Sequence, residues 1–249
     1  IADILAGQDQ RDGTVYPRYF SPLTESPSGQ RIGLIEDFIG EGVDDDVASR
    51  TNQLAQRLRE SGHRVDLVKL PMARYALAIY YIVIPAELSS NMARYDGIRY
   101  GERSPEAHRL DDVYGMSRDD GLMPENKRRI MIGSYVLSSG YYDAYYLKAQ
   151  QARTLLIRQL DKLFESYDFL LSPVSPTPAF KLGENTHDPL KMYLADAMTV
   201  PASLAGLPAM SVPNGRSKAG LPIGVQLIAP AKADASLLAM AKQLEADNA

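Results

Sequence analysis

The sequence of 249 residues contains no cysteine and only three histidines. The absence of cysteine excludes disulfide bonds, thiolate zinc sites and a cysteine nucleophile, and it permits a reducing compartment. His63, His108 and His187 stand apart from one another in polar, turn-like segments. We therefore expect them at the surface, with no catalytic or metal-binding role.

Long apolar runs and an excess of positive charge are also missing. The longest apolar run, near residues 76–88, contains Pro85 and Glu87 and falls short of the ~20 residues that cross a bilayer. We expect neither a membrane span nor a secretory signal. With a net charge of −4, the chain has no strong basic field, so we do not expect it to hold nucleic acid by itself.

Several catalytic motifs are absent from the chain. The sequence contains no Ser-x-x-Lys, Gly-x-Ser-x-Gly, Gly-Lys-Ser/Thr or His-Glu-x-x-His pattern. The acidic pairs at 111–112 and 119–120 lie in turn-rich sequence, where carboxylates are usually solvated. We predict no self-contained catalytic centre and no metal site in these residues.

The residues that are present predict an α/β fold. Hydrophobic residues make up 45% of the chain and charged residues 23%, which is typical of a globular protein with one large domain or two closely joined lobes. A strand, helix, strand unit is predicted near the start of the chain. Its strands are the apolar segments 31–36 and 65–68, and the helix between them is capped by the acidic residues 44–46 and ended by Gly62. Such a unit favours parallel strands.

The rest of the chain alternates helices, loops and short strands. We predict a helix over 74–94 that Pro85 kinks or interrupts, and a polar surface segment over 95–123. Further predictions are a helix from Pro124, helices up to Leu163 separated near Gly140, a strand over 169–172, a proline-rich loop over 173–189, paired strands at 210–212 and 224–228, and a helix over 233–245.

Arg129 is the most informative charged residue. On a helix it shares a face with Ile132, Gly133 and Val136, so its guanidinium needs an anionic partner. That partner is either a carboxylate of the same protein or the carboxylate of a bound ligand, and the residues alone leave both possibilities open. Gly133, one turn on, would leave room for a ligand.

A dense group of tyrosines occupies residues 141–146 (YYDAYY). Aromatic rings can stack on nucleic-acid bases, but tyrosines at helical spacing more often pack in the core and at its rim. The serine pairs 89–90 and 138–139 have no base nearby in sequence, so we expect them to cap helices or to form hydrogen bonds between helices.

Six segments together resemble the amidase signature family, and within it the glutaminase subunits of tRNA-dependent amidotransferases. They are ARYDGIRYG at 93–101, KRRIMIGSYVLSSGYYDAYYLKAQ at 127–150, LLSPVSPTPAF at 170–180, DPLKMYLAD ending at Asp196, PASLAGLPAMSVPNG at 201–215 and LPIGVQLI at 221–228. The resemblance implies a mixed β-sheet flanked by helices, with residues 1–249 as the C-terminal part of one amidase domain.

The family's chemistry implies glutamine hydrolysis by a Ser, cis-Ser, Lys triad. In the family these three residues precede the part that this sequence resembles, so we expect no catalytic residue here and no activity from this chain alone. The first residue, Ile1, also suggests a cut within a longer protein. By resemblance, Arg129 pairs with the α-carboxylate of glutamine, Asp196 takes its α-ammonium group, and Tyr80 lines the same pocket.

The resemblance also implies partners, the B and C subunits of the amidotransferase. Ammonia would pass to the B subunit, where ATP and Mg²⁺ act in forming Gln-tRNA(Gln) or Asn-tRNA(Asn), and the small C subunit would clamp the assembly. We expect a cytoplasmic glutamine-dependent carbon–nitrogen ligase whose glutaminase subunit binds no cofactor and meets tRNA only through the complex. Two alternatives stay open: an amidase acting on small amides, and a non-catalytic homologue used for binding.

Overall fold

The computed structural model describes residues 2–8, 10–15, 20–21, 28–184 and 189–246. Its strands are β1 (Arg31–Ile35), β2 (Arg64–Val68), β3 (Phe169–Pro173), β4 (Ala209–Arg216) and β5 (Pro222–Ile228). Its α-helices are α1 (Ala2–Leu5), α2 (Asp45–Glu60), α3 (Ala73–Met92), α4 (Leu110–Gly121), α5 (Pro124–Val136), α6 (Lys148–Phe164), α7 (Pro189–Leu194), α8 (Val200–Ala205) and α9 (Asp234–Ala246).

The chain divides into two units, one built on a sheet and one made of helices. The sheet unit comprises residues 1–77 and 155–249, and the helical unit comprises residues 78–154. The divisions fall within α3 and α6.

A five-stranded mixed sheet in the order β2-β1-β3-β5-β4 organises the sheet unit. β1 is parallel to both β2 and β3, whereas β5 is antiparallel to both β3 and β4. The predicted α/β class, the parallel unit over 31–68 and the pairing of the last two strands are confirmed.

Helix α2 crosses over between β1 and β2. Its N-terminus is capped by Asp44, whose Oδ1 accepts a hydrogen bond of 2.9 Å from the backbone N–H of Asp46, as the acidic run predicted. One face of α2 is buried, and Leu54 and Leu58 belong to a cluster that also includes residues of β1, β3, β5 and α9. This burial holds the crossover on the sheet.

His63 contradicts the expectation that all three histidines are exposed. It lies just before β2, is only 5% exposed, and its Nδ1 accepts a hydrogen bond of 3.2 Å from the backbone N–H of Gln30. A neutral imidazole can be buried when a ring nitrogen has such a partner. His108 is exposed as expected, and His187 lies outside the described residues.

Helix α3 continues through Pro85, so the helix is not interrupted there, and a kink at Pro85 stays a prediction. Proline removes one backbone hydrogen bond and strains the preceding turn, at roughly 3 kcal/mol in an exposed helix. Here Ile79, Val83 and Ala86 are buried on both sides of the proline. Packing of this apolar surface keeps the helix intact across Pro85.

The segment 95–123, predicted as a polar surface segment, contains the helix α4, which the prediction did not include. At the start of α4 the carboxylate of Asp112 accepts a 3.0 Å hydrogen bond from the backbone N–H of Arg109. Val113 and Ser117 are buried, and the Ser117 hydroxyl accepts a 3.0 Å hydrogen bond from the Ser104 N–H. The preceding loop is thereby tied to the helix.

The tyrosine-rich segment forms a five-residue π-helix, Asp143–Leu147, after a turn at Gly140, and separates α5 from α6 as predicted. The rings of Tyr135 and Tyr141 lie 4.4 Å apart, and Tyr145 contacts both. A hydrogen bond with Tyr141 raises the pKa of Tyr135 to about 12. These three rings pack on one another while each stays more than 40% exposed.

Within the described parts of the chain, no helix combines the length and apolar character that a membrane span requires. The same parts contain no group of three or more histidine, aspartate or glutamate side chains placed to hold a metal ion.

Candidate substrate-binding site

The guanidinium of Arg129 lies in a polar and aromatic cluster of the helical unit. Its Nε donates a 3.0 Å hydrogen bond to Oε1 of Glu125, one turn earlier on α5. Its Cζ lies 5.7 Å from the centre of the Tyr81 ring, and its side chain also shares a hydrogen bond with Tyr80. The protein itself therefore provides one carboxylate partner for Arg129.

Arg129 remains positively charged in this environment. Burial of the guanidinium acts to lower the pKa of Arg129, but the hydrogen bonds with Glu125 and Tyr80 act in the opposite direction and leave the pKa above its ordinary value. The ion pair engages Nε, which is one of five N–H donors on the side chain. The group can hold Glu125 and still offer donors to a second oxyanion.

The space beside Gly133 is filled, and the expectation that this glycine leaves room for a ligand is wrong. A Cβ atom at Gly133 would overlap the backbone carbonyl of Pro85 and lie 2.8 Å from the Cβ of Ser89. The glycine lets α5 approach α3 closely.

Asp196 lies in the sheet unit, in the turns between α7 and α8. Its backbone carbonyl accepts hydrogen bonds of 3.1 Å from the Thr199 hydroxyl and 3.2 Å from the Val200 N–H. These bonds fix the backbone, while the side chain is exposed. The carboxylate is accessible to a cationic group.

A cavity of about 280 Å³ adjoins the Asp196 segment within the sheet unit. The residue before Asp196, Ala195, lines it together with Ser211, Gly224 and residues 174–175 and 177–180 of the proline-rich loop. From Val174 to Glu184 this loop has no helix or strand, as predicted, but Pro173 belongs to β3 and Pro189 begins α7. Residues 185–188 lie outside the described residues. Its irregular backbone forms one wall of the cavity.

Gln226 positions the segment that follows Asp196, and the sequence interpretation missed it. Its Nε2 donates a 3.1 Å hydrogen bond to the carbonyl of Met198 and a 3.3 Å hydrogen bond to the Ser172 hydroxyl. All three side chains are buried. An amide inside the otherwise apolar strand LPIGVQLI was the available signal, because a buried amide requires partners.

The three predicted site residues thus fall in two units. Arg129 and Tyr80 lie side by side in the helical unit, and Asp196 lies in the sheet unit. Their role in binding glutamine stays a prediction.

Comparisons with known proteins agree over nearly the whole chain. A sequence model of the Amidase family matches residues 1–238. The A subunit of glutamyl-tRNA(Gln) amidotransferase is 46% identical in Koribacter versatilis and 49% identical in Geotalea daltonii, in each case over 98% of this chain. These alignments cover 52% and 51% of the two relatives, so the chain spans about half of their length.

Solved structures give the same result. The crystal structure of the A subunit of glutamyl-tRNA(Gln) amidotransferase from Thermotoga maritima is 35% identical, with a TM-score of 0.75 over 99% of this chain and 49% of that one. A bacterial aryl acylamidase of the amidase signature family shares the fold at 22% identity, with a TM-score of 0.69. With its flanked mixed sheet and this match along nearly its full length, the chain belongs to the amidase family.

Proposed function

We propose that this chain forms the glutamine-recognising part of the glutaminase subunit of a tRNA-dependent amidotransferase. The observation that carries the proposal is 46–49% identity, over almost all of this chain, to relatives named as the A subunit of such an enzyme. The enzyme would hydrolyse glutamine and use the ammonia to form Gln-tRNA(Gln) or Asn-tRNA(Asn).

The charged residues suit the two ends of an amino acid's head group. Arg129 would bind the α-carboxylate with the donors that Glu125 leaves free, and Asp196 would accept the α-ammonium group. The Tyr80 hydroxyl would hold the guanidinium in place and line the pocket. A neutral amide offers neither charge, so these contacts would select glutamine over simple amides.

The nucleophile would come from outside these 249 residues, since they contain no Ser-x-x-Lys pattern and no Gly/Ser-rich signature. A lysine would activate a bridging serine, and a second serine would attack the glutamine amide. We propose that the chain binds no cofactor. The proposed assembly is cytoplasmic and also contains a B subunit, which uses ATP and Mg²⁺, and a C subunit. The chain would meet tRNA only through this complex.

Steady-state glutaminase kinetics of the full-length enzyme in its complex test the proposal. Arg129→Gln and Asp196→Asn should each raise KM for glutamine about 100-fold, because each removes a charge-assisted contact of about 2–3 kcal/mol. The matched control is Arg128→Gln, because Arg128 is the neighbouring arginine and its Nη1 pairs with the same carboxylate, that of Glu125, at 2.6 Å. We expect the control to leave KM within about twofold.

The same assay separates the alternatives. An amidase acting on small amides would hydrolyse neutral amides at a rate that Arg129→Gln does not change. A binding homologue would release no ammonia from either substrate, even in the complete protein. If Arg128→Gln and Arg129→Gln raised KM for glutamine equally, the proposed role of Arg129 would be contradicted.

A further inference from the structure

A groove in the sheet unit, between α2 and the β4–β5 hairpin, lies at residues for which the function proposed above has no use. It encloses about 510 Å³, within the range of roughly 300–1,000 Å³ that small-molecule sites occupy. Its lining residues are Arg50, Gln53, Gln56, Arg57, Asn214 and Gly215.

Two arginines contribute hydrogen-bond donors to this lining. Arg50, Gln53 and Arg57 recur at i, i+3 and i+7 on α2 and so share one face of the helix. The Nε of Arg50 donates a 2.9 Å hydrogen bond to the backbone carbonyl of Arg216, which fixes the guanidinium at the hairpin. The groove therefore brings together two permanent cations from one helix face.

Asn214 holds Arg57 in place and has a buried amide donor. Its side chain is 1% exposed, and its Nδ2 has no hydrogen-bond partner among the described residues. Its Oδ1 accepts a 3.2 Å hydrogen bond from Nη2 of Arg57. Because a guanidinium can only donate, the amide cannot turn over without placing donor against donor, so Nδ2 stays without an acceptor.

Gly215 keeps the hairpin backbone close to Arg50. Its φ is +81°, and a Cβ atom there would come within 3.4 Å of Nη1 of Arg50. A side chain at this position would be strained and would press on the guanidinium. The glycine thus preserves the position of one of the two cations.

The nearby carboxylates already have partners. Asp46 accepts a 2.7 Å hydrogen bond from the backbone N–H of Lys218 and pairs with its Nζ at 3.4 Å. This hydrogen bond is the main reason that the pKa of Asp46 lies below its usual value, and the charge of Arg50 acts in the same direction. Glu60 accepts a 2.9 Å hydrogen bond from Nε2 of Gln56. Neither carboxylate is among the residues that line the groove.

We propose that this groove is a binding site for an oxyanion, the phosphate or carboxylate group of a small molecule. The guanidinium groups of Arg50 and Arg57 would supply both the charge and the hydrogen bonds, and Asn214 would hold Arg57 in position through its Oδ1. Guanidinium N–H donors match the geometry of both oxyanions.

Isothermal titration calorimetry on the full-length protein at low ionic strength tests the site with two ligands, inorganic phosphate and succinate. We expect saturable binding of at least one of them, and the ligand that binds identifies the oxyanion as phosphate or carboxylate. Arg50→Gln and Arg57→Gln should each weaken that binding at least 10-fold. Asn214→Asp should also weaken it, since the new carboxylate would pair with Arg57 and compete with the ligand.

The control is Arg158→Gln, which removes the same charge from an exposed position of α6 in the sheet unit and should leave binding unchanged. Circular dichroism checks that the Asn214→Asp protein is folded, and the exposed residues Arg50 and Arg57 keep the test decisive if it is not. Absence of saturable binding with both ligands overturns the proposal. So does an equal loss in the Arg158→Gln protein, which would indicate a general effect of charge.

Discussion

Asp168 joins the beginnings of two neighbouring strands through several bonds to Arg31. Its Oδ2 accepts a 2.8 Å hydrogen bond from the Arg31 backbone N–H, and its Oδ1 accepts a 2.8 Å bond from Nη2 of the same residue. The hydrogen bond from the Arg31 side chain, the largest influence, holds the pKa of Asp168 below its usual value although burial acts to raise it. Two residues 137 apart in sequence are therefore joined where β1 and β3 start.

Replacing Asp168 with asparagine should lower the free energy of unfolding by about 1 kcal/mol at pH 7. The value is modest because the side chains of Asp168 and Arg31 are both partly exposed. Since the carboxyl pKa is lower in the folded than in the unfolded state, its stabilisation is complete above the unfolded value of about 3.9. It is lost as the pH falls through the folded pKa.

Urea unfolding of both proteins at pH 7 and near pH 3 measures this difference, which should shrink at acid pH. Asp161→Asn, at an exposed position of α6, is the control and should change stability little. A difference that is the same at both pH values would contradict the assigned role of the charge.

At the scale of elements, the contact between α3 and α5 depends on the absence of a side chain. Gly133 lies against the backbone of Pro85, and a Cβ atom would overlap the Pro85 carbonyl. Alanine is a better helix former than glycine by about 1 kcal/mol, so helix propensity alone favours the substitution. Backbone atoms cannot rotate away as a flexible side chain can, and the steric clash should outweigh that gain.

We expect Gly133→Ala to destabilise the protein by about 1–3 kcal/mol through overpacking. Gly115→Ala is the matched control, because Gly115 lies within α4 and has no atom within 4 Å of an added Cβ. The control should be neutral or more stable by up to about 1 kcal/mol. Thermal unfolding of both variants decides the matter, and a stable Gly133→Ala protein would show that α5 is not held against α3 in this way.

At the scale of the whole molecule, burial differs strongly from one part of the chain to another. All five residues of β3 are buried, and the strand is paired on both sides, with β1 and β5. Most of segment 95–109 is exposed and has no helix or strand. Opening β3 requires disruption of the sheet, whereas opening this segment breaks only a few local bonds.

Hydrogen exchange should therefore be at least about 100-fold slower at Leu170 and Leu171 than in segment 95–103, after correction for intrinsic rates. Amides of β4, which lies at the edge of the sheet among the described strands and pairs with β5, should exchange at intermediate rates. Mass spectrometry of peptides after timed exchange measures all three. Equal protection of β3 and of segment 95–103 would contradict the assignment of β3 to the centre of the sheet.

The sequence by itself determined the features that depend on neighbouring residues. The acidic run at 44–46 caps a helix, and the apolar segments before and after that helix form the two parallel strands. Segments typical of the family, such as the one ending at Asp196, could be recognised from the sequence. Capping, turn chemistry and apolar periodicity act over a few residues, and for that reason they can be recognised in one dimension.

Only the tertiary structure decided what depends on contacts between distant residues. Tertiary packing keeps α3 continuous at Pro85 and buries His63. It also places the Pro85 backbone against Gly133 and the buried amide of Asn214 next to Arg57. In each case the local preference was opposed or left undetermined, and packing against residues remote in sequence decided the outcome. Burial and partner choice are properties of the folded arrangement, so neither composition nor spacing specifies them.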